Sequence, residues 1–156
     1  MPDIPIKAFI SSVVAIREIE RAWQILLLKR TQTLEGEWCQ IAGKIEPGET
    51  AWQAALRELQ EEAGLTPMAF YSADICEQFY EADRDAITVG PVFVAIIDPD
   101  HNVTLNAEHS DFQWVSFAVA IDLVPFGGQR RVLRWIEEEF VNRQPSRHLQ
   151  ISIGAQ

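Results

Sequence analysis

At 156 residues, with 47% hydrophobic and 23% charged side chains, the chain has the size and balance of one domain able to bury a core. Its net charge of −10 argues against general nucleic-acid binding, and no run is long and apolar enough to span a bilayer. The same charge repels a polyphosphate, so a phosphate substrate would need a metal to bridge it to the protein.

The first residues, Met1-Pro2-Asp3-Ile4-Pro5, lack the basic and apolar regions of a signal peptide. Residues 8–16, rich in β-branched and aromatic side chains, predict a strand, and the apolar run 24–29 predicts a second, buried one. Residues 38–42 lead into a glycine loop, and a helix is expected over 51–63. Residues 71–80 and 87–97 read as a strand pair turning at 81–85. A turn cluster at 98–102 precedes a short strand at 112–116. Gly127 and Gly128 read as a turn before an amphipathic helix at 129–142, and the chain from Arg147 onward reads as a loose tail. Cys39 and Cys76 fit no zinc spacing and read as core thiols in a reducing compartment, so a cytoplasmic location is expected. No repeat, low-complexity tract or second domain interrupts residues 1–156, which read as a single domain.

The run Gly43-Lys44-Ile45-Glu46-Pro47-Gly48-Glu49 and the segment Arg57-Glu58-Leu59-Gln60-Glu61-Glu62-Ala63-Gly64-Leu65 carry the chemistry. On a helix, Glu58, Glu61 and Glu62 stand at i, i+3 and i+4 and emerge together, while Trp52, Ala55, Leu56, Leu59 and Ala63 form an apolar stripe. Thr50 and Gln53 match a capping box, and Gly64 is placed to end the helix in the left-handed conformation. Glu49 and Arg57 are expected to pair and lock the loop onto the helix. Acid-rich helices are commonly just solvated faces. Here, however, like charges one turn apart destabilise a bare helix, and Arg57 is the one nearby cation. Such a cluster suits hard divalent ions with oxygen ligands, and such ions are usually held together with substrate phosphates. The acids do not alternate along a short loop, so the usual calcium-loop pattern is absent.

Read as G-x5-E-x7-R-E-U-x-E-E-x-G-U, with U a bulky aliphatic residue, residues 43–65 resemble the Nudix box at every fixed position. The resemblance implies an α+β fold, an α/β/α sandwich with a mixed sheet between helices. It implies a hydrolase that breaks a pyrophosphate bond by water attack at phosphorus, with Mg²⁺ or Mn²⁺ as cofactor. It places metal ligands at Glu58, Glu61, Glu62 and the carbonyl of Ala42, with Gly43, Glu49, Arg57 and Gly64 as structural support. The stretch from Glu108 and His109 to Trp114 is similar to a family pattern in which the glutamate reaches the metal site as ligand or base. Glu58, Glu61 and Glu108 are therefore the candidate catalytic carboxylates, since members differ in which one takes the proton. A solvated loop glutamate is the plain alternative for Glu108, and His109 is expected to cap or hydrogen-bond the loop.

The stretch from Trp38 to Thr50, with Ala42-Gly43 where many members have Gly-Gly, resembles the bacterial dihydroneopterin triphosphate and dATP pyrophosphohydrolases. A nucleoside or pterin triphosphate is the substrate this implies, cut to the monophosphate plus pyrophosphate. Trp38, Phe79 and Tyr80 are candidates for stacking a heterocycle, and Lys29 and Arg30 for contacting phosphate; core packing and strand-end solvation are the plain readings. Tyr80 also lies about where dinucleoside polyphosphate hydrolases of the family carry a tyrosine. A non-catalytic ligand-sensing module is the further alternative, against which the intact box weighs. Family members are often dimers, so a homodimer is among the expected states; neither nucleic acid nor membrane is an expected partner.

Overall fold

Strand-forming residues fill the first third of the chain, and a tight reversal folds them back on themselves. Glu20 and Arg21, with φ of 52° and 67°, turn β2 (Ile10–Ile19) into β3 (Ala22–Arg30). Two consecutive left-handed residues match the right-handed twist of paired strands. In this computed structural model, which describes residues 1–154, the other elements are β1 (Ile6–Lys7), β4 (Trp38–Cys39), β5 (Ile41–Lys44), α1 (Ala51–Ala63), β6 (Ala69–Glu81), β7 (Ala86–Ile96), β8 (His109–Val115), α2 (Phe117–Leu123) and α3 (Gly127–Ile136).

The sheet is mixed. β2 pairs in parallel with β7, from Ser12 opposite Val92 to Ile16 opposite Ile96. Its other edge is shared: residues 10–13 pair with β5 and residues 16–19 with β3, both antiparallel. β8 adds to β3, and β6 to β7. Side chains alternate between two cores. Val14, Ile16, Ile25, Leu27, Val92 and Val94 face α2 and α3, whose Phe117, Ala120, Val132, Leu133 and Ile136 cover them. Val13, Ala15, Leu26, Leu28, Ile41, Phe93 and Ala95 face Ala55, Leu59 and Ala63 of α1. This is the expected sandwich of a mixed sheet between helices.

Several expectations are corrected. α2 was not foreseen; Ser116 caps it by accepting the Val119 N–H at 3.2 Å. Gly127 and Gly128 open α3 instead of forming a separate turn, and the helix continues as a π-helical turn over Glu137–Val141. The segment from Arg147 is not loose: the Ile151 N–H donates to the Phe70 carbonyl at 2.7 Å, and Ile151 and Ile153 pack on the α1-side core. The last two residues of that expected tail, Ala155 and Gln156, lie outside the described residues. Cys39 is buried as expected, whereas Cys76 is exposed. Among the described residues, no helix is long and apolar enough to cross a membrane.

Candidate active site and metal centre

α1 begins and ends on its own sequence signals. The Thr50 hydroxyl accepts the Gln53 N–H at 3.2 Å while the Gln53 side chain accepts the Thr50 N–H at 2.8 Å. Gly64 closes the helix at φ 67°. Between these caps, Arg57 ties helix to loop. Its Nε and Nη2 donate to the two oxygens of Glu49 at 2.8 and 2.9 Å, and Nη2 also donates to the Lys44 carbonyl at 2.9 Å. Its Nη1 donates to Glu58 at 2.9 Å and Glu61 at 3.2 Å. This guanidinium holds the Glu49 carboxyl below the usual carboxylate range, and its own pKa is raised in return, chiefly by Glu49. The expected pairing of Glu49 with Arg57 is present, as a two-pronged bond.

The three box acids do not share one environment. Glu61 is 54% exposed and bonded to Arg57, whereas Glu62 is 2% exposed. Residue 62 follows Ala55 and Leu59 along the buried stripe, so its carboxyl enters the protein. Glu58 lies against the entrance loop so closely that a Cβ on Gly43 would fall 2.2 Å from its carboxyl carbon. Burial raises the Glu58 pKa against the opposing pull of Arg57. Burial, with the charges of Glu58 and Glu108, pushes Glu62 up to about 9.

Glu108 reaches the same place from the other side of the fold. Its backbone carbonyl accepts bonds from the Thr31 N–H and hydroxyl, at 3.2 and 2.9 Å, which fixes this loop to the end of β3. His109, the first residue of β8, is buried, with Nδ1 4.0 Å from the Glu62 carboxyl. The His109 backbone N–H hydrogen-bonds the loop, donating to the Asn106 carbonyl at 3.4 Å, while its imidazole faces the acids. Burial and Arg30 lower its pKa. Ligand atoms of Glu62, Glu108 and His109 all lie within 4.8 Å of one another. Glu62 Oε2 and His109 Nδ1 are enclosed without a hydrogen-bond partner. Polar atoms so buried normally have one, and a divalent ion bound here would supply it. These residues, with Glu58, therefore fit a metal; Ala42 lies in β5, opposite Ser12 and adjacent to Gly43. His109 was missed as a site residue because a histidine after a loop glutamate carries no spacing signal of its own.

The proposed substrate residues separate. Arg30 lines a cleft of about 210 Å³ with Gln32, Thr33, Glu108 and His109. Lys29 instead registers against Trp38, which packs toward the α2–α3 core. Phe79 is exposed at 43% on β6. The Tyr80 hydroxyl donates to Asp85 at 2.8 Å, so the structure ties it to the β6–β7 turn and not to the carboxylates. A larger cavity of about 620 Å³ lies between the β2–β3 hairpin and residues 140–145, and no box carboxylate lines it.

A glycine-framed loop, a capped helix and converging carboxylates make an arrangement that would suit a divalent ion and phosphate chemistry. The NUDIX domain pattern matches residues 9–136, and the chain belongs to the Nudix family, whose hydrolases act on phosphoric anhydride bonds. A Caenorhabditis elegans bis(5′-nucleosyl)-tetraphosphatase (asymmetrical) is 29% identical over 126 residues, 80% of this chain and 90% of that protein. A Myxococcus xanthus protein named octanoyltransferase is 34% identical over 112 residues; the match spans 71% of this chain but only 31% of that protein. The fold is shared with the C. elegans Ap4A hydrolase solved as a binary complex (TM-score 0.75, 24% identity, 86% of this chain and 98% of that one). It is shared also with the Escherichia coli dihydroneopterin triphosphate pyrophosphohydrolase (TM-score 0.69, 20% identity, 90% and 100%).

Proposed function

We propose that this chain is a divalent-metal-dependent pyrophosphohydrolase that converts a nucleoside or pterin triphosphate and water to the monophosphate and pyrophosphate. The observation that carries this reading is the meeting of Glu58, Glu62, Glu108 and His109, with two enclosed polar atoms left unpartnered. When bound, Mg²⁺ or Mn²⁺ neutralises phosphate charge and lowers the pKa of water. The chain's own residues do the rest. Arg57 fixes the directions of Glu49, Glu58 and Glu61, and Gly43 leaves room for the Glu58 carboxyl beside the loop. Arg30 supplies positive charge in the cleft beside Glu108, where an otherwise acidic surface repels phosphates. Trp38 and Phe79 are the aromatic candidates for the heterocycle.

Hydrolysis of dinucleoside tetraphosphates is the second reading, favoured by the C. elegans relative's length-wide match. The test is a substrate panel of nucleoside triphosphates, dihydroneopterin triphosphate, dinucleoside tetraphosphate and ADP-ribose, run with Mg²⁺ and then with chelator. Chelator-sensitive release of pyrophosphate from a triphosphate supports the first reading. Asymmetric cleavage of the tetraphosphate at a higher kcat/KM supports the second. No turnover by folded, metal-bound protein on any of them points to a ligand-sensing module.

A further inference from the structure

His109 reaches the box acids through an irregularity in its strand. β8 pairs regularly with β3 from Val115 opposite Ile25 to Asp111 opposite Lys29, and then one residue is skipped: His109, not Ser110, stands opposite Arg30. Side chains of a regular strand alternate between faces. Along β8, Trp114 packs on the α1-side core and Val115 on the α2–α3 side. Unbroken alternation would send residue 109 to the same side as Val115, away from α1. The extra residue is a β-bulge, and it turns His109 to the side shared by Leu28 and Arg30, where α1 lies.

What the bulge delivers is a nitrogen donor without a partner. His109 and Glu62 are 6% and 2% exposed. His109 Nδ1 stands 4.0 Å from the Glu62 carboxyl, too far for a hydrogen bond. Nδ1 and Glu62 Oε2 are therefore both enclosed and both unsatisfied, on either side of one small gap. Ligand atoms of Glu62, Glu108 and His109 lie within 4.8 Å of one another. Two donors on one ion, each about 2.1 Å from it, can stand up to roughly 4.3 Å apart, so the Nδ1–carboxyl separation suits a shared ion. A neutral imidazole that offers its Nδ1 lone pair carries its proton on Nε2. Nε2 is not among the enclosed, unpartnered atoms, so that N–H is not stranded.

We propose that His109 Nδ1 is a direct ligand of the metal centre, together with Glu62 and Glu108, and that this nitrogen makes the centre select a borderline transition ion of the Zn²⁺ type over Mg²⁺. The inference rests on the metal-dependent reading above and narrows its ion. Carboxylate and carbonyl oxygens suit Mg²⁺ and Mn²⁺ alike, whereas imidazole nitrogen suits Zn²⁺ and its neighbours in the first transition row. Mg²⁺ keeps its waters and demands octahedral oxygen geometry, so one nitrogen among the donors counts against it and in favour of its competitor. The bulge sets the selectivity by bringing the imidazole to the acids in place of the Ser110 hydroxyl.

The experiment uses the full chain stripped with chelator and titrated with Zn²⁺ or Mg²⁺ alone, with no substrate. Calorimetry is expected to give a Zn²⁺ affinity at least about a hundredfold above that for Mg²⁺. In His109→Asn, an amide oxygen takes roughly the place of Nδ1; Zn²⁺ affinity should fall about tenfold or more while Mg²⁺ affinity changes less than about threefold. Equal losses for both ions would make His109 a positioning residue only and overturn the proposal, as would an unchanged ratio. The second measurement needs no variant. In protein labelled with ¹⁵N at its three histidines, Zn²⁺ is expected to move the Nδ1 resonance of His109 to that of a metal-bound nitrogen while Nε2 stays protonated. No movement at Nδ1, or Zn²⁺ bound through His101 or His148 alone, overturns the proposal even if His109→Asn does not fold. Turnover enters neither measurement. Nitrogen-bound Zn²⁺ in a protein that cleaves none of the panel supports this proposal and sinks only the hydrolase reading; cleavage with Mg²⁺ and no nitrogen ligation does the reverse.

Discussion

Glu62 carries opposite consequences for stability and for chemistry. Its carboxyl is enclosed beside Glu58, Glu108 and His109, an arrangement unfavourable to a bare negative charge. Glu62→Gln keeps the shape and removes the charge. We expect the variant to lose turnover by orders of magnitude while its metal-free form melts no lower than wild type at about pH 8. Near-wild-type turnover would remove Glu62 from the site. Gly43 offers a complementary test, since a methyl group there would overlap the Glu58 carboxyl. The overlapped atoms are the end of a flexible side chain, so the fold can absorb the change by moving them. Gly43→Ala should therefore weaken Mn²⁺ binding and activity by about tenfold or more, with less than about 1 kcal/mol lost in denaturant unfolding. A large stability loss with intact metal affinity would show that the glycine serves packing alone.

At the scale of elements, α1 was readable because its signals are local. The capping box, the left-handed Gly64 and the apolar stripe all act within one segment, and the helix spans Ala51–Ala63 as expected. The Glu49–Arg57 bond was readable for the same reason. Glu49→Ala should remove both prongs from Arg57 and loosen the loop that presents Ala42 and Gly43. Metal affinity is expected to fall several-fold, with a lowered urea-unfolding midpoint, as isothermal titration and urea unfolding would show. Equal metal affinity in this variant would uncouple loop from site. What the sequence left unread depends on distant partners. Glu62 and Glu61 are neighbours in sequence, yet only the packing of β8 against β3 brings His109 over one of them and not the other. The ordered segment after Arg147 likewise depends on Phe70, far away in sequence. α2 is only seven residues long and apolar at all but Asp122, too short and too uniform to show a helical period, so its helix rests on packing against β3 and α3.

For the whole molecule, the buried acid couples folding, protons and metal. The ordinary Glu62 value of 4.5 applies to the unfolded chain, and the folded metal-free chain holds its proton up to about 9. Between these values the folded state binds more protons than the unfolded state, so stability falls as pH rises through the window. His109 acts with the opposite sign, because its folded value lies below 6.5, but above about pH 7 it is neutral in both states. The interval from about pH 7 to about pH 9 therefore isolates the acids. We expect the Tm of the metal-free protein to decline across that interval. Saturating Mg²⁺ should flatten the decline, since the ion takes the place of the proton in the folded state. Binding should then release close to one proton per protein near pH 8, read from the dependence of calorimetric enthalpy on buffer. Parallel Tm curves with and without the ion, and no proton release, would mean that the ion binds away from Glu62. The convergence of α1, β8 and the loop before β8 would then need a different occupant, and the acidic chain would still lack the bridge a polyphosphate requires.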